Sequence, residues 1–520
     1  MKYRKLGRFA ALILAAAVFA AGCGNNSTGA PGPDTTGTPA PTESEAPSVT
    51  GAGQEGETKV DNPSMTIDFN TKHQTWEGFG ASSCWWSQYV GGWDKPYKGQ
   101  GLPVREQIAK WLYSRDEGIG LTIYRYNVGA GSKDSGLGTF WDPNRRAQSF
   151  IGVDGEYNWN KDRNAVWFLK YCVELGAKDV VFFCNSPLDK LTVNGLAHMS
   201  EDGSPNLLPE KYDDFAKYVF DVVEHFRAEG VPISYVSPIN EPQWEWKNGQ
   251  EGCHFTADEV VGVLKAFVEE LKARGLEDKV EITTPEGGEW KGSTRTYVNA
   301  ILSDDVLGSY FKKMDVHSYW SSKGDKIAFK EWIDKKFPGT GLVMSEWCEM
   351  VNGKDWTMDS AFNMADVIWE DMTVLDVSSW QYWVGVADGD YRDGLIYVNK
   401  DAKAARPNRR LWEFGNYARY IRPGFTRIDY TTDDKNIDGL RPGVFTGIDD
   451  GDGKEKCVMV FINRGDAKTI SLAGVEGYST YEIHTTAEEL DLELTASGNV
   501  EKTTEYVIGE KSVVTVVLSK

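Results

Sequence analysis

From about residue 76 to residue 420 the chain alternates short apolar runs with longer helical patterns, and this limits the possible fold more than any other feature. The runs that read as strands are Glu77–Ala81, Leu121–Val128, Asp179–Cys184, Ile233–Ile239, Val280–Thr284, Met314–Tyr319, Gly341–Ser345 and Val377–Trp383. Between them, Arg105–Tyr113, Ala165–Leu175, Tyr212–Ala228, Ala257–Arg274 and Ala361–Thr373 read as helices. In the third of these, Phe215, Val219, Val222, Val223 and Phe226 share one face at the helical period. Eight strand–helix units over residues 76–420 predict an α/β fold, a (β/α)8 TIM barrel with enlarged loops. The alternative is a doubly wound open sheet. Gly78-Phe79-Gly80 argues against it, because it lacks the third glycine of a dinucleotide fingerprint and opens no convincing helix.

After Arg422-Pro423-Gly424 the pattern changes. Cys457–Ile462, Thr480–His484, Thr504–Ile508 and Ser512–Leu518 read as strands separated by turns, which predicts an all-β sandwich side domain over residues 421–520. Ser64–Phe69 reads as a further strand, so the segment 62–75 is expected to join that sandwich across the barrel, 76–420.

The first residues read as an address. Residues 1–8 are basic, and the apolar run Phe9–Gly22 is shorter than the ~20 residues that span a bilayer. Together they predict a signal peptide, 1–22. The run ends Ala20-Ala21-Gly22-Cys23, which looks like a bacterial lipobox, so Cys23 is the expected lipidation site and membrane anchor. Residues 24–58 hold 22 Gly, Ser, Thr or Pro in 35 positions and cannot build a core, so 23–61 is expected to be the lipidated cysteine and a tether. The expected location is extracytoplasmic, at a bacterial membrane or cell surface.

A formal net charge of −21 repels phosphate backbones and argues against nucleic acid as a partner. No C-x-x-C or H-E-x-x-H is present. The Asp449–Gly453 loop lacks the EF-hand register and reads as an acidic turn. No metal and no cofactor are expected. Spacing assigns no disulfide pair and no oligomeric state.

In such a barrel, functional side chains collect at the C-terminal ends of the strands. The fourth predicted strand runs into Asn240-Glu241-Pro242 and the seventh into Ser345-Glu346-Trp347. Two carboxyls at opposite strand ends are what hydrolysis of a glycosidic bond needs. One is protonated to release the leaving sugar, and the other is ionised to attack the anomeric carbon.

Further motifs accompany this pair: Trp76-Glu77-Gly78-Phe79-Gly80 at the barrel entry, Arg125-Tyr126-Asn127, Ser379-Trp380-Gln381-Tyr382-Trp383, and Phe414 to Gly424 at its close. As an ordered set, over about residues 62–520, they resemble glycoside hydrolase family 30, retaining enzymes with catalytic glutamates after barrel strands four and seven. The resemblance implies that Glu241 is the general acid/base and Glu346 the nucleophile. It implies that Asn240 binds the sugar 2-hydroxyl and that Arg125, beside Asn127, keeps Glu346 ionised. Tyr319 would orient Glu346, His317 would support the same wall, and Trp380 would form the stacking floor. One stretch departs from the family: its frequent S-P-P is replaced here by Asn185-Ser186-Pro187-Leu188-Asp189-Lys190.

Nineteen tryptophans need an explanation beyond core filling. Several fall where strand patterns give way to loops: Trp85, Trp86, Trp93, Trp141, Trp244, Trp246, Trp290, Trp320 and Trp356. A flat apolar ring face suits the C–H face of a pyranose, and Trp85, Trp86 and Trp244 are the expected subsite walls. Glu286 and Glu289, after the fifth strand, could contact substrate or be solvated.

The Ser82–Trp86 stretch looks most like galactanase-type members of the resembling family, so an endo-β-1,6-galactanase-like hydrolase acting on polysaccharide or oligosaccharide is the first expectation. A xylanase or glucuronoxylanase, or a β-1,6-glucanase, is the second. A lipid-anchored glycan-binding protein without catalysis is the reading from another class. It explains the tether and the tryptophans but not the two carboxyl motifs.

Overall fold

The computed structural model describes residues 64–520, apart from 141, 153, 199–205, 248, 433 and 503–504. The expected signal peptide, Cys23, the expected tether and Trp141 lie outside the described residues. The first strand, β1 (Ser64–Thr75), precedes the barrel strands β2 (Gly78–Ser82), β3 (Ile123–Asn127), β4 (Asp179–Phe183), β5 (Ile233–Ser237), β6 (Glu281–Ile282), β7 (Pro285–Gly287), β8 (Lys313–His317), β9 (Gly341–Trp347) and β10 (Ser379–Tyr382).

The hydrogen-bonded order is β6-β5-β4-β3-β2-β10-β9-β8-β7, and every pairing is parallel. β6 and β7 are two pieces of the fifth barrel strand, so this order is a closed ring. The residues between them bridge both neighbours. Thr283 N–H donates to Val236 O at 2.8 Å, and Asp315 N–H donates to Thr284 O at 2.8 Å. The sequence reads one strand at Val280–Thr284. The break follows from Pro285, which has no N–H to continue the ladder.

Helices Val104–Tyr113, Arg163–Leu175, Tyr212–Ala228, Ala257–Ala273, Gly292–Ser303, Lys323–Lys336, Met358–Val374 and Arg409–Ala418 wrap the strands. The predicted face of Tyr212–Ala228 is buried at Phe215, Val219, Val222, Val223 and Phe226. Ala257–Ala273 and Lys323–Lys336 each start at a capping box, Thr256 with Glu259 and Ser322 with Asp325, which satisfies amide donors that the helix leaves open. A small sheet, β11 (Val386–Ala387), β12 (Ile396–Asn399) and β13 (Ala404–Pro407), lies in the connection after β10. Among the described residues no helix is long and apolar enough to cross a membrane.

The side domain comprises β1 with β14 (Thr426–Thr431), β15 (Gly443–Ile448), β16 (Glu455–Asn463), β17 (Lys468–Ala473), β18 (Thr480–Ala487), β19 (Leu490–Asn499), β20 (Glu505–Ile508) and β21 (Ser512–Ser519). These form one nine-stranded sheet in the order β19-β18-β21-β16-β15-β14-β1-β17-β20. The two layers expected of a sandwich are thus parts of one sheet. It curls until Tyr481 of β18 meets Tyr506 of β20 edge to face at 5.2 Å. β21 reads as an almost unbroken apolar run because both of its faces are covered. Val514, Val516 and Leu518 fill the side-domain core, while Val513 and Val517 join the barrel core.

The acidic turn Asp449–Gly453 clasps the two parts together. Arg115 donates to Asp449, and Arg422, which closes the barrel, donates to Asp450 at 3.1 Å.

Glu413, on the helix Arg409–Ala418, is fully buried, and neither carboxyl oxygen has a hydrogen-bond partner among the described residues. Burial, reinforced by Asp366 and only partly opposed by Arg410, raises its pKa well above the ordinary range. The folded chain therefore keeps a proton that the unfolded chain loses above pH ~4.3, so this group destabilises the fold as pH rises past that value. Glu413→Gln, close in shape to the protonated acid, is expected to gain about 1–3 kcal/mol at pH 8 and almost nothing near pH 4.5. Chemical unfolding at the two pH values checks this, and an equal gain at both would refute it.

Candidate active site

Ile123, Val181, Tyr235, Asp315, Val343, Ser379 and Gln381 line a small cavity inside the barrel. Two residues further along each strand, at the period that keeps a side chain on one face, stand Arg125, Phe183, Ser237, His317, Ser345 and Trp383. At this C-terminal mouth the candidate residues Arg125, Asn127, Asn240, Glu241, His317, Tyr319 and Glu346 are all buried.

Strand alternation alone would turn Glu346 outwards, because Val343 and Ser345 face in. The pairing of β9 slips by one residue against both neighbours. Val316 and His317 pair with Met344 and Glu346, and Trp380 and Tyr382 pair with Met344 and Trp347. This β-bulge lets both Ser345 and Glu346 face the lumen. Strain collects at the same mouth. Glu241 after barrel strand four, Glu286 in the second piece of strand five and Trp320 after strand six have φ of 43°, 55° and 47°. For side chains this large that conformation costs on the order of 1–3 kcal/mol each.

Arg125 Nη1 donates to Glu346 Oε2, and its Nη2 donates to Asn240 Oδ1 at 3.2 Å. The same guanidinium lies 3.5 Å from Glu286 Oε2 and packs over the Phe183 ring at 3.8 Å. Tyr319 O–H donates to Glu346 Oε1 at 3.1 Å. Glu346 is therefore flanked by a cation and a hydroxyl.

His317 joins the two sides of the site. Its Nδ1 is 3.1 Å from Glu241 Oε1 and 3.6 Å from Glu346 Oε1, and its Nε2 is 3.0 Å from Glu286 Oε2. Burial alone would lower its pKa. The carboxyl groups of Glu346, Glu241 and Glu286 outweigh burial and raise it to about 10. For Glu286 burial is also outweighed: Arg125, His317 and Ser345 bring its pKa down to about 2. For Glu241 burial prevails over His317, and its pKa is raised. At neutral pH the cluster thus holds two cations, Arg125 and His317, a Glu286 anion and a Glu241 that resists ionisation. With Glu346 as an anion, the charges cancel.

A chain of amides lines the floor. Asn240 Nδ2 donates to Asn185 Oδ1 at 3.3 Å, and Asn185 Nδ2 donates to Asn127 Oδ1 at 3.2 Å. Asn127 Nδ2 is buried with no hydrogen-bond partner among the described residues.

Two expected tryptophan roles are corrected. Trp380 is fully buried on the outer face of β10, where its Nε1 donates to Asp371 of the helix Met358–Val374 at 3.0 Å and its ring packs against Phe414. It therefore cannot be a stacking floor. Trp383, in phase with the inward-facing Ser379 and Gln381, is half-buried and meets Trp85 edge to face at 5.4 Å. Trp86 is no subsite wall either. It is buried against Phe168, and its Nε1 donates to Ser82 O at 3.0 Å. Trp85 does border the mouth, with the Arg145 guanidinium 4.8 Å from its ring. Trp244 is 43% exposed.

The family model described as O-glycosyl hydrolase family 30 matches residues 62–323 and 327–397. The chain belongs to that family. An endo-beta-1,6-galactanase of Hypocrea rufa is 26% identical over 435 residues, covering 78% of this chain and 82% of the relative. Glucuronoxylanase XynC of Bacillus subtilis is 23% identical over 321 residues, covering 59% of this chain and 64% of the relative. Among solved structures, a conserved exported protein from Bacteroides fragilis superposes with a TM-score of 0.76 at 24% identity, over 87% of this chain and all of that one. The catalytic domain of a xylanase C from Talaromyces cellulolyticus gives 0.65 at 19% identity, over 88% of this chain and 100% of that one. These likenesses carry the barrel with its attached β domain, and the family makes the chain a glycosidase.

Three residues of this family 30 hydrolase are only partly legible in its sequence. Glu286, for which the sequence leaves substrate contact and solvation both open, sits in a strand of only three residues, is fully buried and accepts from Ser237 at 2.8 Å and Ser345 at 2.5 Å. Glu289, three residues on, is half-buried, accepts from Ser293 at 3.3 Å and pairs with Lys291 at 3.8 Å. Asn185 lies in the stretch that departs from the family pattern. Trp383 could have been found by phase, since Ser379 and Gln381 mark the polar, inward face of the eighth barrel strand.

Glu241, His317 and Glu346 offer donor atoms within 4.8 Å of one another, a spacing that a metal ion could bridge. With its pKa raised to about 10, however, His317 is an imidazolium at neutral pH and has no lone pair to give, and Arg125 already takes an oxygen of Glu346. The group is better suited to moving a proton. One carboxyl is disposed to keep its proton, and another accepts from two donors.

Proposed function

We propose that the chain is a retaining glycosidase acting by double displacement, with Glu241 as general acid/base and Glu346 as nucleophile, on β-1,6-linked galactan. The observation that carries the mechanism is the approach of a Glu241 oxygen to a Glu346 oxygen within 4.8 Å. An inverting enzyme separates its two carboxyls by about 6.5–9.5 Å to leave room for water, whereas a retaining one holds them about 5–5.5 Å apart.

In the first step Glu346 attacks the anomeric carbon while the Glu241 proton passes to the departing oxygen. Bonding to the sugar removes the negative charge of Glu346 as Glu241, its proton passed on, becomes an anion, so the net charge of the cluster is unchanged. With the competing anion at Glu346 gone, the Glu241 carboxylate persists and takes a proton from the incoming water as base. Asn240 and Asn127 are placed to bind ring hydroxyls. Trp383, with Trp85, takes the stacking role expected of Trp380.

The galactan assignment is supported by the Hypocrea rufa relative, which spans most of both chains, and by the Ser82–Trp86 stretch. Purified protein is expected to release oligosaccharides from β-1,6-galactan, with the β-anomer seen first by NMR. An initial α-anomer refutes the mechanism. Release from xylan or β-1,6-glucan instead reassigns the substrate. Binding without release on all three makes the chain a glycan-binding protein.

A further inference from the structure

Two large aromatic side chains at the barrel mouth stand in water. Trp244 is 43% exposed and Trp320 51% exposed, and their rings meet edge to face at 5.6 Å. We infer that this pair is the platform on which the leaving-group sugars stack. The inference rests on the acid/base assignment of Glu241 made above.

Position gives the first argument. The leaving oxygen must reach the proton of Glu241, so the sugars attached to it leave on the side of barrel strand four. Trp244 is on that side, and its N–H donates to Glu241 O at 3.1 Å. Trp320 closes the platform from strand six. Its ring lies 5.4 Å from that of Tyr319, whose hydroxyl donates to Glu346. The other aromatic wall, Trp85 with Trp383, follows strands one and eight, across the barrel axis.

Rigidity gives the second argument. Trp320 keeps a left-handed backbone, which a bulky residue adopts only at a cost, and the neighbouring chain fixes it there. Lys291 donates to Trp320 O, Ser321 O–H donates to Tyr319 O at 2.9 Å, and Ser321 Oγ accepts from Trp290 N–H at 2.9 Å. A strained backbone that holds an indole out in solvent contributes little to the core, but it presents a fixed flat face to a pyranose ring. Binding energy gained on non-reacting sugars can be spent at the bond being broken, so losing the platform should lower kcat as well as raise KM.

The test compares two substrates with Trp320→Ala, Trp244→Ala and the double variant. β-Galactosyl fluoride has a leaving group with no ring to stack, while β-1,6-galactotetraose places sugars on the platform. The tetraose is expected to lose about 10–100-fold in kcat/KM in the double variant, while the fluoride stays within about threefold. Equal losses on both substrates, or no loss on either, overturn the inference. A wild-type protein that turns over neither galactoside sinks the galactan reading alone. The same ratio, read on the oligosaccharide and glycosyl fluoride of the sugar it does hydrolyse, then decides the platform.

Discussion

Glu346→Gln is expected to lower kcat by about ten-thousandfold or more while leaving the protein folded, because the group proposed to form the covalent intermediate is gone. Arg125 keeps a carboxylate partner in Glu286, at 3.5 Å, so the loss does not strand an unpaired guanidinium. Azide then separates the two glutamates by the stereochemistry of what it rescues. In Glu346→Ala, azide takes the place of the missing carboxylate and should give an α-glycosyl azide from a β-linked aryl glycoside. In Glu241→Ala the glycosyl-enzyme still forms when the leaving group is good, and azide attacks it from the opposite face to give a β-glycosyl azide. A β-azide from Glu346→Ala, or a Glu346→Gln enzyme of near normal rate, would exchange or remove the assigned roles.

The strand–helix alternation carries the fold because each barrel strand is buried on both faces and each helix on one, and both patterns survive in the residue order. The site is less legible, for physical reasons that differ from residue to residue. Asn240-Glu241 and Ser345-Glu346 are visible as motifs, but the one-residue slip that turns Glu346 inwards is a property of the pairing between strands. Trp380 in β10 and Trp383 just past its end are the same residue type, and only phase tells them apart. In a barrel the inward face can be the polar one, so a tryptophan between Ser379 and Gln381 belongs to the helix side. The bend that buries Glu286 depends on Pro285 interrupting the fifth strand and on Ser237, His317 and Ser345 arriving from three other strands. No local pattern records that convergence. The six described cysteines are buried free thiols.

Glu286→Gln should shift the pH profile more than any other substitution that spares both glutamates of the proposed catalytic pair. In the free enzyme Glu286 is the anion that balances either Arg125 or His317, and removing its charge leaves the cluster at about +1. Under the proposed mechanism the alkaline limb of kcat/KM reports loss of the proton that Glu241 donates. An added positive charge favours the Glu241 carboxylate, so that proton leaves at lower pH and the limb moves towards acid. For charges about 5 Å apart at an effective dielectric near 20 the interaction is about 3 kcal/mol, or on the order of two pH units before relaxation. His317 also loses one of the anions that raise its pKa to about 10, and partial loss of its proton would trim the shift to on the order of one unit. Turnover at the new optimum should fall by about 10–100-fold, since His317 and Arg125 each lose a charged acceptor. Glu286→Asp, which restores the charge on a shorter arm, should bring the limb back towards its original position even where kcat stays low. A limb that stays in place in Glu286→Gln, or moves towards alkali, would reduce Glu286 to a structural carboxylate. Its burial would then have to be explained by the closure of the fifth strand rather than by the proton on Glu241.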